Sequence, residues 1–141
     1  MFRLDISSGV EEHDGAPFYR GAALIGDFEE EFLAAAVHWS AQRYQRQWRE
    51  AARRLAEGAD LAAFISSFVH PDAVAHLWVG HSDGRQVTFR NLLSLPAIRG
   101  ALLDPDHPER LLRPRQEASP TEELISEWII PLADVSAFAA S

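Results

Sequence analysis

The sequence predicts an α+β fold in which N-terminal helices pack on a mostly antiparallel β-sheet. Three observations predict it. Apolar residues recur at helical spacing between Phe28 and Leu55. After Gly58, short apolar runs alternate with turn signals, the pattern of antiparallel strands. Helices followed by strands, rather than alternating with them, mark an α+β chain. The 141 residues, 47% hydrophobic and 24% charged, have globular composition. Their number suits one domain spanning residues 1–141.

Phe2 to Ile6 alternates apolar and polar residues, as a short strand does. Ser7 to Pro17 reads as a loop, rich in glycine and charge, and Phe18 to Ile25 as a second strand weakened by Gly21. Asp27 reads as a helix N-cap, with Glu30 completing a capping box. Phe28, Phe32, Ala35, Ala36 and Trp39 then form one helical face. Ser40 caps a second predicted helix running to Glu57, with Tyr44, Trp48, Ala51, Ala52 and Leu55 on its apolar face and Gly58 as its stop.

Leu61 to Val69 is a compact apolar run that reads as a buried strand, and His70-Pro71-Asp72 as a turn. Val74 to His81 and Arg85 to Leu92 flank Ser82-Asp83-Gly84 and predict a β-hairpin. A short helix is expected from Leu95 to Leu103, and a loop from Asp104 to Pro108. Arg113–Glu117 and Leu124–Ile130 are expected to pair around Ser119-Pro120-Thr121. Leu132, Val135 and Phe138 have the spacing of a terminal helix after Pro131.

Several chemistries lack their residues. With no cysteine there is no disulfide, thiol nucleophile or thiolate metal site. The chain has no lysine, which excludes a Walker phosphate loop. No Gly-x-Gly-x-x-Gly, Gly-x-Ser-x-Gly or zinc-type histidine spacing occurs, so no cofactor and no catalytic set is expected. His70, His76 and His81 lie close in sequence, but on a strand His76 and His81 face opposite ways. The acidic loops at residues 11–14 and 104–107 read as solvated. No apolar run approaches the length of a membrane span, and the N-terminus lacks the pattern of a secretory signal, so a cytoplasmic protein is expected.

The net charge is −8, from thirteen arginines against twenty-one acidic residues. One segment opposes the trend. Between Ser40 and Gly58, Arg43, Arg46, Arg49, Arg53 and Arg54 outweigh Glu50 and Glu57 to give +3, leaving −11 for the rest. The spacing offers Arg46–Glu50, Glu50–Arg54 and Arg53–Glu57 contacts along a solvated face. The remaining negative potential disfavours direct nucleic-acid binding and favours a cationic protein partner.

A set of short motifs carries a family likeness. They are Phe28-Glu29-Glu30-Glu31-Phe32, Trp39 with Tyr44, and Gln47-Trp48 opening the stretch to Leu55. Then come Trp78, the Asp83-Gly84 turn with Asn91 after it, Arg115, Ser126-Glu127-Trp128 and Phe138. In order and spacing the chain resembles the immunity proteins of bacterial contact-dependent growth inhibition, the CdiI-like family. Many relatives have a Gln-Asn pair where this chain has Arg90-Asn91. The resemblance implies a non-enzymatic protein without a cofactor. It would bind the toxin domain at the C-terminus of a large exoprotein, often a basic nuclease, and occlude its active site. It also implies that Phe28, Phe32, Trp39, Tyr44, Trp48, Trp78, Asn91, Arg115, Ser126, Glu127 and Trp128 build the fold, with Trp128 packing and Glu127 hydrogen-bonding. Turn and loop carboxylates, Glu11, Glu12, Asp14, Asp72 and Asp83, are the expected toxin contacts. Two other classes compete: a small nuclease or hydrolase using His76 and His81, and an adaptor that uses the arginine helix.

Overall fold

The computed structural model describes residues 1–68, 75–95 and 127–141. Its elements are β1 (Phe2–His13), β2 (Ala16–Ile25), β3 (Phe28–Ala35), α1 (Ala41–Ala56), β4 (Leu61–Phe68), β5 (Ala75–Ser82), β6 (Gln86–Leu95), β7 (Glu127–Pro131) and α2 (Leu132–Ala139). Two antiparallel sheets result, one in the order β1-β2-β3 and one in the order β4-β5-β6-β7. The class is α+β, but strands dominate and the helices are not N-terminal.

The helix expected from Asp27 to Trp39 is instead β3. Phe28 and Phe32 are four residues apart, a spacing that places them on one face of a strand as well as of a helix. Register decides between the two: Phe28 pairs with Ile25, Phe32 with Gly21 and Ala35 with Phe18. Asp27 is no N-cap. It follows Gly26, whose φ of 64° supplies the positive φ that a two-residue hairpin turn needs at its first central position. The expected loop Ser7–Pro17 is also strand. β1 runs on to His13, bulges between Ile6 and Val10, and turns at Asp14-Gly15, both with positive φ. That dipeptide is a type I′ hairpin signal. The arm holds polar residues because residues 7–10 are exposed.

Gly21 does not weaken β2. The Phe32 ring lies over it, and a Cβ there would collide with that ring. An aromatic side chain covering a cross-strand glycine is a favourable pairing in a sheet.

The other expectations fare better. Ser40 caps α1, its Oγ accepting from the Arg43 amide at 3.1 Å, and the helix ends one residue before Glu57. β4 matches the buried run, and β5 and β6 turn at Asp83-Gly84 as expected. β6 continues to Leu95, so that residue ends a strand rather than opening a helix. Glu127–Pro131 pairs with β6, and α2 follows Pro131. The turn at residues 70–72, the helix beyond Leu95, the loop at 104–108 and the strand at 113–117 with its turn at 119–121 lie outside the described residues.

The core forms where α1, both sheets and α2 meet. The Phe2 ring of β1 stacks on Phe89 of β6 at 4.9 Å and meets Phe64 of β4 and Phe138 of α2 edge-on. Tyr44, Trp48, Ala51, Ala52 and Leu55 of α1 are buried. The exposed edge of β4 would be a liability, and α1 covers it. The Gln47 amide donates to the Ala63 carbonyl at 2.8 Å and accepts from the Ile65 amide at 2.9 Å. Trp48 Nε1 donates to the Ile65 carbonyl at 2.7 Å. Tyr44 Oη accepts from the Phe68 amide at 2.9 Å and donates to the Ala35 carbonyl at 2.7 Å. Ser67 Oγ accepts from the Ala35 amide at 3.1 Å. Side chains thus join the end of β3 to the end of β4 and tie the two sheets together.

Candidate functional site

The acidic residues singled out in the sequence separate into two places. Glu11, Glu12 and Asp14 lie together at the β1–β2 turn, whereas Asp83 lies at the β5–β6 turn of the other sheet. Asp72 falls outside the described residues.

Their availability differs. Arg20 Nε and Nη2 each donate to Glu11 at 2.9 Å, and His13 Nε2 lies 3.4 Å away. The Arg20 hydrogen bond holds the Glu11 carboxyl below its ordinary range. Arg20 also reaches Glu31 on β3 at 3.2 Å, so one guanidinium links all three strands. Asp83 is committed as well. Its Oδ1 accepts from the amides of Arg85 and Gln86, both at 2.8 Å, and those bonds lower its pKa. The spacing of an Asx turn explains this role. Glu12 and Asp14 are exposed and form the part of the group that can meet another molecule.

The aromatic motif residues lie largely inside. Phe28 stacks on Trp128 at 4.2 Å, and Trp78 completes the cluster 5.4 Å from Trp128. Phe32 meets Trp48 edge-on, and Trp39 lies between Tyr44 and Phe68. Asn91 pairs with Trp78 across β5 and β6. Glu127 accepts from Arg90 Nε at 2.6 Å across β6 and β7. Arg115 and Ser126 lie outside the described residues. Reading the sequence did not single out Gln47 or Ser67 for the bonds they make. A single glutamine in a helical apolar stripe was the available signal, because a polar side chain buried there needs partners.

No catalytic group assembles among the described residues. His76 and His81 leave opposite faces of β5, and His13 and His38 lie elsewhere. No three histidine, aspartate or glutamate residues are placed among them to hold a metal ion. No described helix is long and apolar enough to cross a membrane.

Among the arginines of α1, Arg46, Arg49 and Arg53 are exposed, whereas Arg43 and Arg54 are half-buried. Arg43 lies over the Trp39 ring at 4.6 Å, and Arg49 over Phe138 at 5.8 Å. Arg53 pairs with Glu50, an i,i+3 contact in place of the expected Arg53–Glu57 pair.

A family model, the CdiI N-terminal domain, matches residues 34–138, well over half of the chain. The chain belongs to that family. The motif resemblance therefore holds, and the matched span starts near the end of β3 and reaches into α2. Among solved structures, the chain is similar to one in the "CdiA-CT/CdiI toxin and immunity complex from Enterobacter cloacae". The TM-score is 0.86 at 20% identity, over 99% of this chain and 97% of that one. At that identity the likeness is one of fold, and it includes β1 and β2, which the family model does not reach. No curated protein sequence matches the chain.

Proposed function

We propose that residues 1–141 act as one immunity domain that binds a cognate toxin domain and prevents its action in the cytoplasm of the producing cell. Membership of the CdiI N-terminal domain family carries this reading. The similar solved chain comes from a toxin and immunity complex, which supports it. The partner is the C-terminal domain of a large exoprotein, and a basic nuclease is the class that the charge favours. A nuclease needs a cationic surface to hold phosphates, and a protein of net charge −8 competes for that surface with carboxylates. Inhibition is by covering the active site. The immunity domain breaks no bond and uses no cofactor.

Glu12 and Asp14 at the β1–β2 turn are the proposed first contacts, with Glu11 behind them held by Arg20. Asp83 contributes through the shape of its turn rather than as a free charge. The experiment is co-expression with the toxin domain encoded next to this chain, scored by growth rescue and co-purification. Both are expected. Glu12→Arg combined with Asp14→Asn, which keeps a residue suited to positive φ, is expected to slow association at low salt and to lessen its dependence on salt. Unchanged association would remove that turn from the interface. Failure to rescue, or RNA cleavage by the purified chain that His76→Ala or His81→Ala abolishes, would overturn the immunity reading itself.

A further inference from the structure

The outward face of α1 has the opposite sign to the rest of the molecule, and helix stability explains only part of this: the helix dipole favours Arg53 and Arg54 in the last turn of α1. Its first turn contains Arg43 and no acidic residue, although the helix dipole favours carboxylates there. A solvated face would be served as well by alternating signs. Arg53 takes Glu50 rather than Glu57, and Arg46 has no ion pair among the described residues. Arg43 and Arg49 lie against aromatic rings, which orients their guanidinium groups and lessens the freedom they lose on binding.

The relief of the face follows the charge. Two shallow concavities of about 380 Å³ each flank a common ridge. One is lined by Arg43, Arg46, Glu50 and Arg54. The other has the same Arg46 and Glu50, joined by Arg49 and Arg53.

We propose that this ridge docks a short acidic protein segment. Charge complementarity sets the sign, and the arginine forks suit carboxylates, which they can bind through two parallel hydrogen bonds. Extent sets the class. The 16 residues of α1 span roughly 24 Å. Away from them the field is negative: residues 1–39 hold eight acidic residues and two arginines. A long nucleic acid would pass from the ridge into that repulsive field, which is felt over a Debye length of about 8–10 Å. This surface lies on a different element from the β1–β2 turn, and its assignment does not rest on the toxin reading.

The test uses the full chain and a fluorescein-labelled decapeptide of alternating glutamate and glycine, followed by anisotropy at about 50 and 200 mM salt. Saturable binding is expected, weakening at the higher salt, with amide shifts in a nuclear magnetic resonance titration confined to α1 and its neighbours. Arg46→Glu with Arg53→Glu is expected to weaken binding about tenfold or more, whereas Arg3→Glu, on β1, leaves it unchanged. Should the double variant melt below the wild type, Arg46→Gln serves in its place, with an expected loss of about threefold. Two results would overturn the assignment: equal binding by a well-folded ridge variant, or tighter binding of a uridylate decamer than of the peptide.

Discussion

Tyr44→Phe tests whether side chains join the two sheets. The substitution removes one oxygen and leaves the ring in place. The lost hydroxyl donates to the Ala35 carbonyl at 2.7 Å and accepts from the Phe68 amide at 2.9 Å. Ala35 and Phe68 are 3% and 4% exposed, so water cannot easily replace it. A buried polar group left without a partner costs about 1–3 kcal/mol. Two such groups, with some relaxation, give an expected loss of about 2–4 kcal/mol. For a chain of this length the melting temperature should fall by roughly 5–15 °C. Urea denaturation followed by tryptophan fluorescence measures the loss, with an unchanged m-value marking a change in stability alone.

The same variant has a second signature, in pH. Burial pushes the Tyr44 phenol up to about 12 from its ordinary value of 10.0. A raised pKa means that the folded state prefers the neutral phenol. The unfolded chain gives up its proton first, so stability holds below about pH 10 and declines as the pH rises toward 12. The chain has no lysine, so no lysine titrates in this window. Tyr44→Phe should remove this alkaline decline. A variant as stable as the wild type, with the same alkaline decline, would refute the claim that this hydroxyl ties the sheets together.

Two further predictions concern single turns and contacts. Gly21→Ala is expected to displace the Phe32 ring that lies over it and to destabilise the fold by about 1–3 kcal/mol, read from thermal melting. A substitution without effect would show that the ring has room to move. Asp83→Ala is expected to lower stability above about pH 4 and to matter little in stronger acid. The Asp83 carboxyl titrates below its ordinary 3.8 because two backbone amides donate to it. Its contribution is therefore present above the unfolded pKa and disappears as pH falls through the lower folded one. Equal acid-denaturation curves for the two proteins would contradict that role.

The sequence by itself determined the α1 helix with its Ser40 cap, the buried β4 run, the β5–β6 turn and the terminal helix. Each of these is written in local spacing or in a turn dipeptide. It also contained the family likeness and the reversal of charge along α1. Tertiary structure alone decided β3. Phe28, Phe32 and the three glutamates between them suit a helix by local rules, and only pairing with β2 turns them into a strand. The β1 arm was hidden for a related reason: its polar residues are exposed, so no apolar alternation marks it, and only the Asp14-Gly15 turn gave a local sign. Of the candidate contacts, sequence could name carboxylates but could not tell Glu12 and Asp14, which are exposed, from Glu11 and Asp83, which are committed to Arg20 and to a turn. Spacing along a chain reports periodicity and caps. Which donor meets which acceptor across 18 or 24 residues, as between Gln47 and Ile65 or Tyr44 and Phe68, is set only when the sheets close on α1.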